Sequence, residues 1–180
     1  MTKICFIYTE TTGLHNTNEF VSKKNLYNFA RMVTINYNIG IFDNNEYNEE
    51  INIRKIIKPR CLIIPESTVE FHNITQEIAE KEGQDIENVL YQFKNDIKDV
   101  EVIVSHNIDF HLKTIQAELV RYNIAIDFNK YTIIDTISYN HSYQYPKLKE
   151  LCEFFKIKKT YKPNIELIIN IFFKLLKNKK

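Results

Sequence analysis

The stretch Phe6–Leu14, FIYTETTGL, decides how this chain folds. It overlaps the apolar run Lys3–Thr9, whose length and composition predict a buried strand. The strand ends at the acidic Glu10 and at a polar Thr-Thr-Gly turn. Because Gly13 has no side chain, the backbone of this turn can come close to another molecule. The stretch therefore predicts a strand that leads into a carboxylate and a tight turn, and either a bound ligand or the fold alone accounts for that turn.

The remaining pattern predicts a mixed sheet flanked by helices, which is an α/β architecture. Further strands are predicted at Phe29–Phe42, Ile51–Lys58, Val100–Val104 and Thr132–Ile137, the first two forming an antiparallel meander with the opening strand. Helices are predicted at Gln76–Glu82, Ile86–Phe93, Ile108–Tyr122, Lys147–Phe155 and Asn164–Leu176. A chain of 180 residues with 44% hydrophobic residues can bury one substantial core, so we expect a single domain over residues 1–180.

Charge and cysteine content exclude several classes of protein. The 24 Lys and Arg residues nearly balance the 23 Asp and Glu residues, so a net charge of +1 leaves no global basic field for nucleic acid or membranes. Three cysteines without CxxC spacing argue against a disulfide framework and against a zinc site. The first residues lack a signal-peptide pattern, and the apolar run Ile165–Leu176 is too short for a bilayer. We therefore expect a soluble, cytoplasmic protein without a membrane partner.

Four segments, in order, resemble the motifs of one enzyme family. The opening stretch is similar to the FxDTETTGL motif of the DEDDh 3'-to-5' exonucleases, the DnaQ-like branch of the ribonuclease-H-like fold. Ser67–Glu77 resembles the EATxIHGITxE segment of that family, Val104–Phe110 its VxHNxxFD motif, and Ile134–Thr136 its IDT motif. Because the resemblance covers essentially the whole chain, it implies one exonuclease-like domain with the ribonuclease-H-like fold.

In this family the resemblance implies two divalent metal ions, Mg²⁺ or Mn²⁺, held by four carboxylates, with a histidine that activates the attacking water. Aligned on these motifs, the first Asp of the family falls on Tyr8 and the second falls on His111, whereas the Glu is retained as Glu10. The final motif matches best at Tyr161, in place of the histidine, and at Glu166, in place of the last Asp. The resemblance therefore implies the fold of an exonuclease with most of its catalytic residues replaced.

The replacements predict that a two-metal centre does not assemble. Two dications about 3.8 Å apart repel by roughly 17 kcal/mol at an effective dielectric constant of about 20. Glu10 and Glu166 are the only matched anions, since Tyr8 and His111 are neutral. We expect no cofactor, and one weakly bound Mn²⁺ or Zn²⁺ held by Glu10, His111 and Glu166 is the most that these residues permit. The sequence leaves open whether Asp135 moves in to repair the site.

Each candidate residue also has a structural interpretation. Glu10 is suited to capping its turn, His111 to packing as a hydrogen-bonded core residue, and Glu166 to the positive end of a helix dipole. His106 and Asn107 are expected to hold a strand-to-helix junction by side-chain to backbone hydrogen bonds. The candidate nucleic-acid-binding residues are Thr11, Thr12, Gly13, Leu14, His106, Asn107, Lys158, Lys159 and Lys162.

Three functions are compatible with these residues. The first is a catalytically inactive pseudo-exonuclease that binds single-stranded or 3'-terminal nucleic acid, or a protein partner. The second is an active metal-dependent 3'-to-5' exonuclease with unusual ligands. The third is a protein-interaction module without nucleic-acid binding, which the near-zero net charge favours.

Overall fold

A computed structural model describes residues 1–138, 146–157 and 164–177 of the chain. Four of the residues singled out in the sequence lie outside these ranges, namely Lys158, Lys159, Tyr161 and Lys162. Within the described ranges, no helix has both the length and the apolar character that a membrane-spanning segment requires.

Five strands form one mixed sheet in the order β3-β2-β1-β4-β5. The strands are β1 (Thr2–Thr11), β2 (Met32–Asp43), β3 (Glu46–Ile56), β4 (Val102–Ser105) and β5 (Thr132–Asp135). The first three strands are antiparallel, whereas β4 runs parallel to β1 and β5 runs parallel to β4. The predicted meander and mixed sheet are thus confirmed. Strand β3 begins at Glu46, ahead of the predicted Ile51, because an edge strand accommodates the polar residues that open it.

In the described parts of the chain, six α-helices flank the sheet. They are α1 (Glu66–His72), α2 (Gln76–Glu82), α3 (Ile86–Asp96), α4 (Ile108–Arg121), α5 (Leu148–Phe154) and α6 (Ile165–Lys177). Side-chain caps set two of the helix starts, because Thr75 Oγ1 accepts from the N–H of Ile78 and the Asp85 carboxylate accepts from the N–H of Glu87. Helix α1 is the one helix of this set for which the sequence predicted no element.

Alternation along β1 divides the main core between the two faces of the sheet. Cys5 and Ile7 pack against α3 and α4 on one face, whereas Ile4 and Phe6 pack against α5 and α6 on the other. The same alternation places Tyr8 on the α6 face, next in line after Phe6. The final residues of β1 are therefore where the two helical layers and the sheet edge come together.

Candidate functional site

The Thr-Thr-Gly turn is fixed by its own hydrogen bonds. Thr11 Oγ1 donates to the carbonyl of Gly13 at 2.6 Å, and Thr12 Oγ1 accepts from the N–H of Arg31 at 3.0 Å. Gly13 has a φ of +149°, which L side chains rarely adopt, although a Cβ there would meet no atom within 4 Å. The glycine is therefore required by the backbone conformation of the turn, and the space in front of it is open.

Strand β1 extends beyond its parallel neighbour, and His111 fills the gap. The pairing of β1 with β4 ends at Phe6 and Val104, which leaves the later N–H groups of β1 without a strand partner on that side. The backbone N–H of Thr9 donates to Nδ1 of His111 at 3.1 Å, and Thr9 Oγ1 lies 2.9 Å from the same nitrogen. The imidazole thus takes the place of the missing strand.

His111 is held neutral in this position. Burial is the main cause that lowers the pKa of its ring to about 3. A hydrogen bond with the His106 backbone raises this pKa, whereas the nearby His106 and His15 side chains lower it further. A neutral imidazole has one nitrogen with a free lone pair, and here that lone pair accepts from Thr9. No ring nitrogen of His111 remains to ligate a metal in this arrangement.

The Tyr8 phenol lies beside the Glu10 carboxylate, and the charge of this carboxylate and a hydrogen bond with it affect the pKa of the phenol. Burial raises the pKa of Tyr8 far above its ordinary value, and the charge of Glu10 and this hydrogen bond raise it further. The phenol therefore stays protonated and acts as a hydrogen-bond donor. Its ring also packs against the ring of His111, with 5.0 Å between the centroids. The two replaced positions thus contact each other and the one retained carboxylate.

Glu166 lies in the first turn of α6, where it is exposed. Asn164 begins this helix, since its side-chain oxygen accepts from the N–H of Leu167 at 3.0 Å. Glu166 and Glu10 line one polar cavity of about 870 Å³, whereas His111 lines a different one. The three candidate metal ligands therefore do not surround a common position, and no group of three His, Cys, Asp or Glu side chains in the described ranges could hold a metal ion.

The Asp135 carboxylate does not stand free to repair the site, because both of its oxygens accept backbone hydrogen bonds elsewhere. It accepts from the backbone N–H groups of Asn107 at 2.9 Å, Ile108 at 3.0 Å and Ile137 at 3.0 Å. The first two of these groups belong to the start of α4, which leaves no role at the metal position.

The roles expected for His106 and Asn107 at this junction require correction. Nδ1 of His106 lies 2.9 Å from Thr136 Oγ1, so the contact joins two side chains. Asn107 contributes a left-handed backbone with a φ of 64° and makes no side-chain cap. A side-chain to backbone bond does hold the junction, but the carboxylate of Asp135 makes it.

Two cavities meet beside Glu10. The first, which we call the end cleft, has a volume of about 510 Å³, and its lining includes Glu10, Gly13, Leu14, Phe71, His106 and Asn107. The second is the polar cavity that Glu10 shares with Glu166. Both are lined by Tyr8, Glu10 and His72. The end cleft therefore brings together Thr11, Gly13, Leu14, His106 and Asn107 of the residues that the sequence singled out, whereas Thr12 lines a different cavity.

Six described residues that line the end cleft were not identified as candidate site residues from the sequence, and Phe71 and Leu148 are two of them. Phe71 is 70% exposed at the end of α1, and Leu148 begins α5. His72 beside it is buried, and its Nδ1 accepts from the N–H of Ile74 at 3.0 Å. A large exposed aromatic residue next to a motif histidine is the one signal that could have indicated Phe71.

The two-metal centre that the resemblance implies does not fit the described residues. A protonated phenol and an imidazole with its lone pair engaged stand where two carboxylates would be needed. Glu10 and Glu166 together supply two negative charges against the four positive charges of two dications. The donor set among these residues is therefore too small and too weakly charged.

Comparison with solved structures shows where this fold occurs. Exonuclease I from Methylocaldum szegediense aligns with a TM-score of 0.75 at 12% identity, over 100% of this chain and 41% of that one. Exonuclease I from E. coli, in complex with a dT13 oligonucleotide, gives 0.74 at 13% identity over 98% and 40%. The nuclease domain of 3'hExo, a DEDDh family member bound to rAMP, gives 0.74 at 15% identity over 98% and 92%. The chain thus spans about two fifths of the Exonuclease I chains.

The search of curated protein sequences finds no match to the chain. A comparison with models of protein families does identify a family. The model of the RNase_T exonuclease family matches residues 6–162, which include every motif position from Tyr8 to Tyr161. The chain therefore belongs to the RNase_T exonuclease family, with the mixed sheet and flanking helices of the ribonuclease-H-like fold.

Proposed function

We propose that this protein is a pseudo-exonuclease that binds single-stranded or 3'-terminal nucleic acid without hydrolysing it. The observation that carries this proposal is the buried phenol of Tyr8, which lines the same two cavities as the Glu10 carboxylate and whose pKa is raised by burial and by the charge of Glu10. The side chain in place of the first metal-binding carboxylate is therefore neutral. A metal ion at Glu10 would gain no charge from Tyr8.

His111 provides a second obstacle to metal binding. Withdrawing its ring toward a metal would leave the N–H of Thr9 buried without an acceptor, which costs about 1–3 kcal/mol. Such a cost alone lowers the metal affinity by roughly 5- to 150-fold. The arrangement therefore favours the hydrogen-bonded state over metal ligation.

The end cleft supports binding in the absence of catalysis. Phe71 and Leu14, at its rim, are 70% and 81% exposed, and such apolar surfaces suit the faces of nucleobases. The E. coli Exonuclease I compared above is in complex with an oligonucleotide, and the 3'hExo domain is bound to rAMP. Because the net charge of this chain is only +1, we expect its binding to be modest and to weaken as salt is added.

The test is a trimming assay combined with a binding assay. Single-stranded DNA and RNA with a labelled 5' end are incubated with the protein in Mg²⁺ and separately in Mn²⁺, and Glu10→Ala serves as the contamination control. The proposal expects a salt-sensitive complex and no shortening that depends on Glu10. Shortening that disappears in Glu10→Ala would instead establish the metal-dependent exonuclease with unusual ligands, for which the shared cavity of Glu10 and Glu166 is the favouring observation.

A protein partner is the second candidate function. Exonuclease I is also known in complexes with SSB, including its C-terminal segment, and a neutral surface suits protein contacts. Oligonucleotide titration at low and high salt separates the two candidates. Absence of any complex at low salt would favour the interaction module, whereas salt-sensitive binding favours the nucleic-acid role.

A further inference from the structure

A third cavity lies on the other side of the Thr-Thr-Gly turn from Glu10. It has a volume of about 450 Å³, and its lining includes Thr12, Leu14, Asn16, Tyr27, Arg31 and Arg121. We call it the arginine cavity. None of the described residues that line it is acidic. Leu14 also lines the end cleft, so the two spaces adjoin across a single exposed side chain.

The two arginines share one buried carboxylate. Glu118 is fully buried, and its Oε1 lies 2.8 Å from Nε of Arg31 and 3.1 Å from Nη1 of Arg121. The same oxygen also accepts from the N–H of Met32 at 3.1 Å. Two guanidinium groups therefore meet one carboxylate, which leaves a net charge of +1 in a partly buried position.

This surplus charge is poorly solvated. The side chains of Arg31 and Arg121 are only 27% and 15% exposed. Burial lowers the pKa of Arg121, and the like charge of Arg31 adds to the lowering, against the opposing effect of Glu118. An anion at the mouth of the cavity would relieve both the desolvation and the repulsion. Phosphate groups match the planar donors of arginine especially well.

A large aromatic side chain stands at the same cavity. Tyr27 is 82% exposed, and no hydrogen bond or ring contact holds it among the described residues. Proteins that bind single-stranded nucleic acid commonly combine an exposed aromatic ring, on which a base stacks, with basic side chains that neutralise a neighbouring phosphate. Tyr27 and the arginine cavity provide both of these features.

A nucleic-acid strand whose end lies in the end cleft could continue into either of the two adjoining cavities, and the charges of their linings differ. Among the residues that the structure describes, the polar cavity on the Glu10 side is lined by two carboxylates and one arginine, Arg54, so this described lining is net negative. The arginine cavity is net positive. A polyanionic strand is therefore repelled on the first route and attracted on the second.

Arg121 supplies charge and not a free donor, since its Nη2 donates to the carbonyls of Leu26 at 2.7 Å and Phe29 at 2.9 Å. We propose that the arginine cavity is a second nucleotide subsite, which takes an internucleotide phosphate at Arg31 and a base on Tyr27. The inference rests on the proposed function, because it assumes that the terminal nucleotide of the strand occupies the end cleft. The nucleic-acid strand then passes over Leu14 and continues along the loop between β1 and β2.

The first test compares probes of different length. The affinities of dTMP and dT6 are measured for the unaltered protein, for Tyr27→Ala and for the control Tyr91→Ala, whose side chain is 51% exposed and lines none of these cavities. Loss of one stacked base is expected to lower the preference for dT6 over dTMP by about tenfold in Tyr27→Ala. The control is expected to retain the full preference.

The second test concerns the phosphate. Arg31→Met is expected to reduce the slope of log affinity for dT6 against log salt by about 0.7, the loss of one phosphate contact on a single strand. Inorganic phosphate alone, added as a competitor, shows whether a free anion occupies the same position. Thermal melting checks that Arg31→Met remains folded, and Tyr27→Ala keeps the proposal testable if it does not.

The outcomes separate this inference from the proposed function. If neither probe binds the unaltered protein, both fail together. If dT6 binds and both variants behave like the control, only the second subsite is wrong. A reduced salt slope in Arg54→Met, with Arg31→Met unchanged, would place the strand in the polar cavity and would also overturn the inference.

Discussion

The backbone N–H of Thr9 donates to Nδ1 of His111 at 3.1 Å, across 102 positions of the chain. The bond lies beyond the last residue of β1 that pairs with β4, so an imidazole supplies the acceptor that a neighbouring strand would otherwise provide. A residue at a position expected to bind metal thus completes the hydrogen bonding at this end of β1. This relationship gives a residue aligned with a metal ligand of the family a structural role in this fold.

Replacing this histidine is expected to cost stability. In His111→Ala the buried N–H of Thr9 loses its acceptor and the ring of Tyr8 loses a packing partner. We expect the free energy of unfolding to fall by about 2–4 kcal/mol, measured by urea denaturation. The control is Asp109→Asn on the same helix, whose carboxylate is 70% exposed and makes one ion pair, with Lys113. An equal change in both variants would contradict the role assigned to His111.

The same histidine predicts a pH dependence of stability. The folded-state pKa of about 3 lies below the ordinary value of 6.5, so the unfolded chain takes up the proton first. The contribution of His111 is complete above about pH 6.5 and is lost as the pH falls toward 3, by up to about 1.4 kcal/mol per pH unit. Urea denaturation between pH 7.5 and 4.5 measures it, and a curve of the same steepness in His111→Asn would show that another group is responsible.

Asp135 is expected to act as a cap and not as a ligand. Asp135→Asn removes the charge that accepts from Asn107, Ile108 and Ile137, and we expect a loss of about 1–3 kcal/mol in the free energy of unfolding. The matched control is Asp127→Asn, since the Asp127 carboxylate accepts from one backbone N–H at a short helical turn. A smaller loss in Asp135→Asn than in the control would be inconsistent with this assignment.

Activity is expected to return when the missing ligands are supplied. Tyr8→Asp and His111→Asp remove the two packed rings and add two carboxylates next to Glu10. Combined with Tyr161→His and Glu166→Asp, they recreate the donor set of the family, and we expect Mg²⁺-dependent shortening of a labelled oligonucleotide. The control is the same combination with Glu10→Ala. A folded quadruple variant without activity would mean that the residue correspondence is wrong.

Much of the fold was predictable because its signals are local. The alternation in β1 and the helical spacing of Ile86, Val89 and Phe93 arise within a few residues, and the motif at Val104–Phe110 set the register of α4. The start of β3 was misplaced because four of its first five residues are polar and exposed, as an edge strand permits, and only Tyr47 among them packs against the core.

The contacts of the site were less accessible from the sequence. The hydrogen bond from the N–H of Thr9 to His111 and the ion pair of Glu118 with Arg31 join distant segments, and the first also depends on which strand ends first. The sequence placed His106 and Asn107 at the right junction but could not identify Asp135, which is 28 residues from Asn107, as the group that holds it. Local patterns carry no information on such pairs.

The most direct test of the central claim is to count bound Mn²⁺ by electron paramagnetic resonance titration of the unaltered protein and of Glu10→Ala. We predict that no Mn²⁺ ion depends on Glu10 for binding, so the two proteins should give the same titration curve. Two Mn²⁺ ions per chain that are lost in Glu10→Ala would contradict the claim, because the neutral Tyr8 and His111 would then have failed to prevent a two-metal centre.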